Sequence, residues 1–250
     1  MASPAAAAAA APAASPAAAP AARDGEPLSM LLCVITRGRG DASLACAISM
    51  LRLQTALMTL ATPVRADLQF VETPDAALNA LHAHPAAVGA LLADASMGFD
   101  AEFPLRALES GLPVVVACAP TPTMDWERVK RQAAADSGED PQFWGLTYGV
   151  TPVGRIGRNG YVRVERPALG VAWVRKDALA AVAAAHPEAA TDDGTVNFAV
   201  PGVYAGRRLD ADARFAAVFG GETWADVERP ATTTGPLEYG GCVGARSVLR

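Results

Sequence analysis

The sequence predicts one α/β domain, built on a mixed, mostly parallel sheet with helices on both faces. Short apolar runs alternate with segments of helical periodicity between residues 28 and 120, a pattern typical of parallel strands joined by helical crossovers. The apolar runs are continuous, as expected of strands buried on both faces. About 225 residues follow an N-terminal arm, enough for one domain with a substantial core.

The first two strand–helix units have clear boundaries. An apolar run at residues 30–35 predicts the first strand, and Asp41 or Ser43 can cap the helix that follows. A second strand is expected at about residues 66–71. Thr73 then caps the next helix, because it precedes a proline at the first helical position.

Two more strands follow in the same alternation. "AAVGALLAD" predicts a third buried strand that ends at Asp94, and "LPVVVACAP" predicts a fourth that ends at Pro120. Between them, "AEFPLRALESG" predicts a helix closed by Gly111.

The pattern changes in the second half of the chain. Residues 121–165 are polar and rich in turn residues, and Asn159-Gly160 predicts a hairpin. "GVAWVRKDALAAVAAAHP" predicts a strand and a short helix, and the chain is expected to be loop-rich from Thr191 on. We therefore divide the domain of residues 28–250 into a nucleotide-binding half, 28–120, and an acceptor half, 121–250.

Composition excludes several classes of function. Residues 1–27 are nearly all Ala and Pro and predict a disordered arm rather than a signal peptide, so we expect a cytoplasmic or other intracellular location. No later segment has eighteen uninterrupted apolar residues, so no membrane span is expected.

The net charge is -5 without a basic face, which argues against a nucleic-acid partner. The four cysteines are expected to be buried, reduced thiols.

Polar residues follow the first and third predicted strands. In open α/β sheets ligands bind beyond the carboxyl ends of strands, so these residues are expected to share one edge. After the first strand come Thr36, Arg37 and Arg39, whose charges and neighbouring glycines suit a phosphate. After the third come Asp94 and Ser96. The alternative is that both segments are ordinary turns and that Asp94 only caps one.

A dinucleotide-dependent oxidoreductase is another interpretation of the first loop. "GRGDAS" lies between a strand and a helix, as a G-x-G-x-x-G motif does. Ser43 replaces its third glycine, Glu72 is the one well-placed acid after the second strand, and nothing later suggests a hydride site. We rank this interpretation last.

Several motifs together resemble GT-A-type glycosyltransferases, in particular their small viral and bacterial members. They are "ITRGR", "LLADASMGF", "VVVACAPTPTMDWERV", "NGYVRVERPALGVAWVRKDAL" and "LDADARF…GGETWADVERPATTTGPLEYGG". Their order is similar to the family's D-x-D, YP-x-K…DW, G-x-G-F…R, ED…F and H-x-G…Y-x-G segments, and the resemblance covers most of residues 31–244. It implies a GT-A fold, with a Rossmann-like half that binds a nucleotide-sugar donor.

The resemblance also implies roles for individual residues. It places Thr36 and Arg37 near the nucleotide, and it places Asp94 in a D-x-D pair that holds Mn²⁺ or Mg²⁺ against the diphosphate. It places Asp212 as the general base that takes the proton of a hydroxyl acceptor. The pair Asp125 and Trp126 falls on the acceptor side, although Asp125 is also expected to cap the helix "WERVKRQAAA".

The sequence departs from the family at the metal site. The second carboxylate of D-x-D is Ser96, the glutamate of "ED" is Ala211, and the histidine of "H-x-G" falls on Thr233. The tyrosine and lysine of "YP-x-K" fall on Ala119 and Pro122. A hydroxyl is a much poorer ligand for a hard cation than a carboxylate, so a tightly held metal is not expected.

Two interpretations follow from these departures. In the first, the protein transfers sugar to a hydroxyl acceptor without a tightly bound metal, and Arg37 or Arg39 supplies the counter-charge. In the second, it is a catalytically inactive GT-A-like protein with a binding or structural role. Asp210, two residues before Asp212, is a shifted acid that keeps the first interpretation open.

Overall fold

The computed structural model describes residues 27–38, 40–135, 145–157, 159–192, 194–220, 223–233 and 239–240. The predicted arm at residues 1–27 lies outside them except for Pro27. The helices of the described residues are α1 (Leu44–Met58), α2 (Pro74–Ala83), α3 (Glu102–Ser110), α4 (Trp126–Ala135), α5 (Lys176–Ala185) and α6 (Ala211–Phe219).

The strands are numbered in chain order. In the first half they are β1 (Leu28–Ile35), β2 (Val64–Val71), β3 (Ala87–Asp94), β4 (Met97–Phe99), β5 (Val114–Ala117) and β6 (Pro120–Met124). In the second half they are β7 (Leu146–Tyr148), β8 (Thr151–Val153), β9 (Tyr161–Arg166), β10 (Val171–Arg175), β11 (Gly202–Tyr204), β12 (Arg207–Leu209), β13 (Thr223–Asp226), β14 (Ala231–Thr233) and β15 (Tyr239–Gly240).

An eight-stranded mixed sheet forms the centre of the molecule, in the order β2-β1-β3-β10-β5-β13-β9-β8. β1 pairs in parallel with β2 and β3, and β5 pairs in parallel with β13. β10 and β9 are antiparallel to their neighbours, so they run opposite to the other six strands of this sheet.

Helices cover both faces of this sheet. Buried side chains of α2, α5 and α6 pack in one apolar core cluster, and those of α1 and α3 pack in the other. The predicted mixed α/β domain with helices on both faces is therefore confirmed.

Three smaller sheets lie beside the central one. β14 pairs with both β15 and β4, β6 pairs with β7, and β11 pairs with β12 in a hairpin. The short β4 follows directly on β3, so the three-stranded sheet places β14 close to the end of β3.

Local capping signals agree with the sequence at three helices. The Thr73 hydroxyl accepts a hydrogen bond from the backbone N–H of Ala76 at 3.1 Å and so caps α2. Ser43 rather than Asp41 caps α1. Gly111 ends α3 in the left-handed conformation at φ 67°, which costs a residue without a Cβ little.

Two expectations for the second half need correction. β8 and β9 form the antiparallel pair expected around Asn159-Gly160, but β8 ends at Val153 and β9 begins at Tyr161, so their connection is longer than a two-residue turn. The segment after Thr191 also contains α6 and β13. Phe215 and Phe219 of α6 are buried in the core, and their stacked rings have centres 4.2 Å apart. This packing stabilises α6, which the polar residues of its first turn did not indicate in the sequence.

None of the described helices is both long enough and apolar enough to cross a bilayer. Cys33, Cys46 and Cys118 are buried free thiols, as predicted, and Cys242 lies outside the described residues.

Candidate functional site

The ends of β1 and β3 lie side by side at the carboxyl edge of the sheet. Ile35 is opposite Asp94 in the parallel register, and the N–H of Ala95 donates to the carbonyl of Ile35 at 2.9 Å. Thr36 is the next residue after Ile35. The predicted adjacency of the first and third strand ends is thus confirmed.

Asp94 is a buried carboxylate with a partner on each oxygen. Its Oδ1 accepts hydrogen bonds from the backbone N–H and the hydroxyl of Ser96, at 3.0 and 2.7 Å. Its Oδ2 accepts one from the guanidinium of Arg37. Burial alone would raise the pKa of Asp94, but the hydrogen bonds from Ser96 and Arg37 outweigh it and hold the pKa below its usual range.

Arg37, two residues after the end of β1, has an unusual backbone conformation. Its φ is 50°, in the left-handed region that residues with a Cβ rarely adopt, and its N–H donates to the carbonyl of Glu72 at 3.1 Å. This geometry directs the side chain back to Asp94, while 55% of its surface stays exposed. The guanidinium is therefore oriented by one carboxylate and still accessible to an anionic ligand.

Asp212 of α6 is linked to the same edge by Leu169 and Gly170, the two residues that precede β10. The N–H of Asp94 donates to the carbonyl of Gly170 at 2.6 Å, and the N–H of Leu169 donates to Asp212 Oδ1 at 3.1 Å. The consecutive residues Leu169 and Gly170 therefore link the backbone of Asp94 in β3 to the carboxylate of Asp212 in α6.

The environment of Asp212 differs from that of Asp94. Its pKa is raised above the usual range, first because of burial and also because of the nearby charge of Asp210. The hydrogen bond from Leu169 and the charges of Arg37 and Arg166 oppose this shift without cancelling it. Asp212 thus binds a proton more tightly than an exposed aspartate does, which suits a general base.

Asp210, the alternative acid two residues before Asp212, has a structural role. Its Oδ1 accepts from the N–H of Ala213 at 2.8 Å and so caps α6, and its Oδ2 pairs with Arg166 at 2.5 Å. Asp212 is therefore the acid of this helix with the more suitable environment for proton transfer.

The three positions that hold a metal in the resembled family come together here. Asp94 ends β3, Ser96 immediately precedes β4, and Thr233 of β14 pairs with Met97 of β4. However, both oxygens of Asp94 are engaged, and the Thr233 hydroxyl donates to the carbonyl of Pro120 at 2.8 Å. Within the described ranges no cluster of three or more His, Cys, Asp and Glu could hold an ion. The residues present do not fit a tightly bound Mn²⁺ or Mg²⁺.

The other predicted site residues lie outside this cluster of contacts. The Thr36 hydroxyl donates to the carbonyl of Val71 at 3.3 Å, next to Arg37. Asp125 accepts from the N–H of Arg128 at 2.9 Å and so starts α4, and 65% of Trp126 is exposed. Arg39 lies outside the described residues, so its predicted role stays a prediction.

Sequence reasoning missed a second buried acid, Asp226, at the carboxyl end of β13. Arg106 of α3 pairs with its Oδ2 at 3.0 Å, and the N–H groups of Glu228 and Arg229 donate to its Oδ1. These partners occupy both oxygens, and the side chain is fully buried. Asp226 therefore ties α3 to β13 and orders the turn after that strand.

Arg166 was also missed, and its position at the end of a strand gave no usable signal. It closes β9, immediately before a proline, but β9 runs opposite to β1 and β3, so the rule for the carboxyl ends of parallel strands does not place it at their edge. Its pairing with Asp210 could not be inferred, because 44 residues separate the two in sequence.

No family model matches the chain, and no curated protein matches it. Among solved structures it is similar to the protein A197 from STIV, with 12% sequence identity and a TM-score of 0.45 over 83% of this chain and 86% of that one. A similarity this distant carries no argument about function.

Proposed function

We propose that the protein binds a nucleotide-sugar at the carboxyl edge of its sheet and transfers the sugar to a hydroxyl acceptor without a tightly bound metal. One observation carries the proposal: Arg37, Asp94 and Asp212 are connected at a single edge through the Leu169–Gly170 segment. Asp94 and Asp212 are the positions that the family resemblance assigned to donor binding and to the catalytic base.

Arg37 is the group we expect to contact the diphosphate. A guanidinium can form paired hydrogen bonds to phosphate oxygens and carries the positive charge that a metal would otherwise supply. Asp94 positions this guanidinium at the end of β1. The positive charge then stabilises the diphosphate as it leaves the sugar.

Asp212 is the group we expect to act on the acceptor. Its carboxylate takes the proton of the acceptor hydroxyl while that oxygen forms a bond to the anomeric carbon. The bond between the anomeric carbon and the diphosphate breaks, and the nucleoside diphosphate leaves with the electron pair. The raised pKa of Asp212 makes the carboxylate a better proton acceptor.

Thermal unfolding with nucleotide-sugars tests donor binding. At about one hundred times its dissociation constant, a bound ligand adds about 2.7 kcal/mol of stability, so a UDP-, GDP- or ADP-sugar should raise the melting temperature by several degrees. We expect the same rise with and without Mn²⁺. A rise that requires Mn²⁺ would contradict the metal-free arrangement.

The variant Asp212→Asn tests the catalytic base. We expect it to abolish sugar transfer while it leaves donor binding intact, because the amide cannot accept a proton. Asp75→Asn is a matched control, since Asp75 is also half-buried, accepts a backbone N–H at 2.8 Å and has a raised pKa, but lies outside the cluster. Unchanged transfer by Asp212→Asn would remove Asp212 from the mechanism.

A catalytically inactive GT-A-like binding or structural protein is the second candidate. The internal hydrogen bonds of Asp94 and Thr233 favour it, because they leave no strong metal ligand free. Donor binding without any transfer, or no thermal shift with any nucleotide-sugar, supports this candidate. A shift with NAD instead would support the oxidoreductase interpretation.

A further inference from the structure

A cavity of about 460 Å³ lies beside the first turn of α6, on the side of the acceptor half. It is an open cavity lined by β8, β9, the β11–β12 hairpin and α6, and its volume is within the range of about 300–1,000 Å³ of small-molecule sites. Nothing in the mechanism above uses this cavity.

The cavity has an apolar side formed by one face of α6. Ala213, Ala216 and Ala217 recur at helical spacing and line it together with Leu209 of β12. These small side chains leave room for a ring-shaped ligand. Leu209 and Ala213 also flank Asp212 in sequence, so a ligand here lies next to the turn that carries the proposed base.

Tyr204 forms a fixed aromatic wall. The guanidinium of Arg214 lies 3.7 Å from the centre of its ring, and Arg214 itself is buried. The Tyr204 hydroxyl donates to Glu188 at 3.4 Å and lies 3.3 Å from Nδ1 of His186. Arg214 therefore fixes the ring at one face, and Glu188 and His186 fix it at its hydroxyl. The same side chain lines the cavity.

The charged groups of the wall balance one another. Arg166 is paired with Asp210, so its charge is already neutralised. Glu165 and Arg207 also line the cavity, and among the described residues the side chain of neither forms a hydrogen bond or ion pair. The cavity thus offers a free acceptor and a free donor without a net charge, which favours a neutral ligand rich in hydroxyl groups over an anion.

We propose that this cavity binds a sugar ring of a neutral carbohydrate, with the C–H face of the ring on Tyr204 and its hydroxyls on Glu165 and Arg207. The role of this cavity as the acceptor subsite rests on the proposed function. In that role the acceptor is a carbohydrate whose free hydroxyl reaches Asp212. As a binding site it depends on the cavity alone.

NMR of alanine methyl groups in the full chain tests the proposal. Methyl glycosides of glucose, galactose and N-acetylglucosamine are the probes, at millimolar concentration. We expect at least one of them to shift the methyl signals of Ala213 and Ala216. Arg207→Gln should weaken that binding about tenfold, because a hydrogen bond to a charged group is lost.

The hairpin provides a matched control. Arg208 is exposed and adjacent to Arg207 but does not line the cavity, so Arg208→Gln should bind the probe like the parent protein. Tyr204→Phe keeps the ring and should retain binding, whereas Tyr204→Leu should abolish it. Equal loss in both Tyr204 variants, or in both arginine variants, would contradict the assigned contacts.

Two further outcomes separate this inference from the proposed function. If none of the three glycosides shifts the methyl signals, or if phenyl phosphate does so instead, the carbohydrate site is wrong even where nucleotide-sugars bind. If the glycosides bind in the cavity and no nucleotide-sugar stabilises the protein, the carbohydrate site stands and the transferase function fails.

Discussion

Two aspartates at one edge of the sheet have opposite electrostatic environments. Asp94 receives hydrogen bonds from Ser96 and Arg37, which stabilise its ionised form. Asp212 is half-buried with a single backbone donor, Leu169, and lies near the like charge of Asp210. The same side chain is therefore held in its ionised form in one place and binds a proton more tightly than usual in the other.

The raised pKa of Asp212 predicts how the stability of the variant Asp212→Asn depends on pH. The folded state holds the proton of Asp212 more tightly than the unfolded state, so ionisation destabilises the fold as pH rises above the usual value of 3.8. The variant lacks this cost. Urea unfolding at several pH values should show Asp212→Asn more stable than the parent at neutral pH, with the difference vanishing below about pH 3.8. A difference that is constant with pH would contradict the shift.

Some residue roles could be predicted from local sequence and others could not. The cap at Thr73 and the end of α3 at Gly111 depend on neighbours within four positions, and both were correct. The link from Asp94 through Gly170 to Asp212 depends on contacts across 43 or more residues. Motif order suggested that these acids belong to one site, but only the folded backbone shows which peptide groups join them.

At the scale of elements, β10 joins β3 and β5 in the central sheet. It enters between β3 and β5 in the antiparallel direction and carries Trp173, which is completely buried. Its apolar run indicates burial but not direction, because an antiparallel strand covered on both faces has the same composition as a parallel one. Its place in the sheet could therefore not be predicted from the sequence.

Gly89 of β3 shows how closely β10 packs. A Cβ atom at this position would lie 2.5 Å from Cζ2 of Trp173 and 2.7 Å from the carbonyl oxygen of Val174. The ring of a buried tryptophan and a backbone carbonyl cannot both move away without disturbing the sheet. The absence of a side chain at Gly89 is thus a condition for the β3–β10 pairing.

The variant Gly89→Ala should therefore destabilise the protein by about 2–3 kcal/mol, as overpacking of a core does. Gly202→Ala in β11 is the control, because a Cβ there meets no atom within 4 Å, and its change should stay within about 0.5 kcal/mol. Chemical denaturation of both variants measures the two free energies of unfolding. Equal stabilities would show that β10 does not approach β3 this closely.

At the scale of the whole molecule, the two halves of the chain are interlocked. Residues 28–120 supply β1, β2, β3 and β5, while β8, β9, β10 and β13 come from residues 121–250 and complete the same sheet. Without β10 there is no pairing between β3 and β5. We therefore expect the halves to unfold together as one cooperative unit, although the sequence pattern changes sharply between them.

Three thiols report on this cooperativity. Cys33 lies in β1 and Cys118 follows β5, both in one core cluster, while Cys46 of α1 lies in the other. Burial raises the pKa of Cys33 and Cys118 to about 12 and that of Cys46 to about 11, so none of them forms the reactive thiolate in the folded protein. Each should react only after the structure around it opens.

Thiol labelling over a series of urea concentrations tests whether the sheet opens as a unit. If it does, Cys33, Cys46 and Cys118 should report free energies of opening within about 0.5 kcal/mol of each other. If the second half opened alone, departure of β10 and β13 would expose Cys118 while Cys33 stayed between β2 and β3. Mass spectrometry distinguishes the sites, because the three cysteines fall on different tryptic peptides. Earlier labelling of Cys118 would show that the central sheet is two units rather than one.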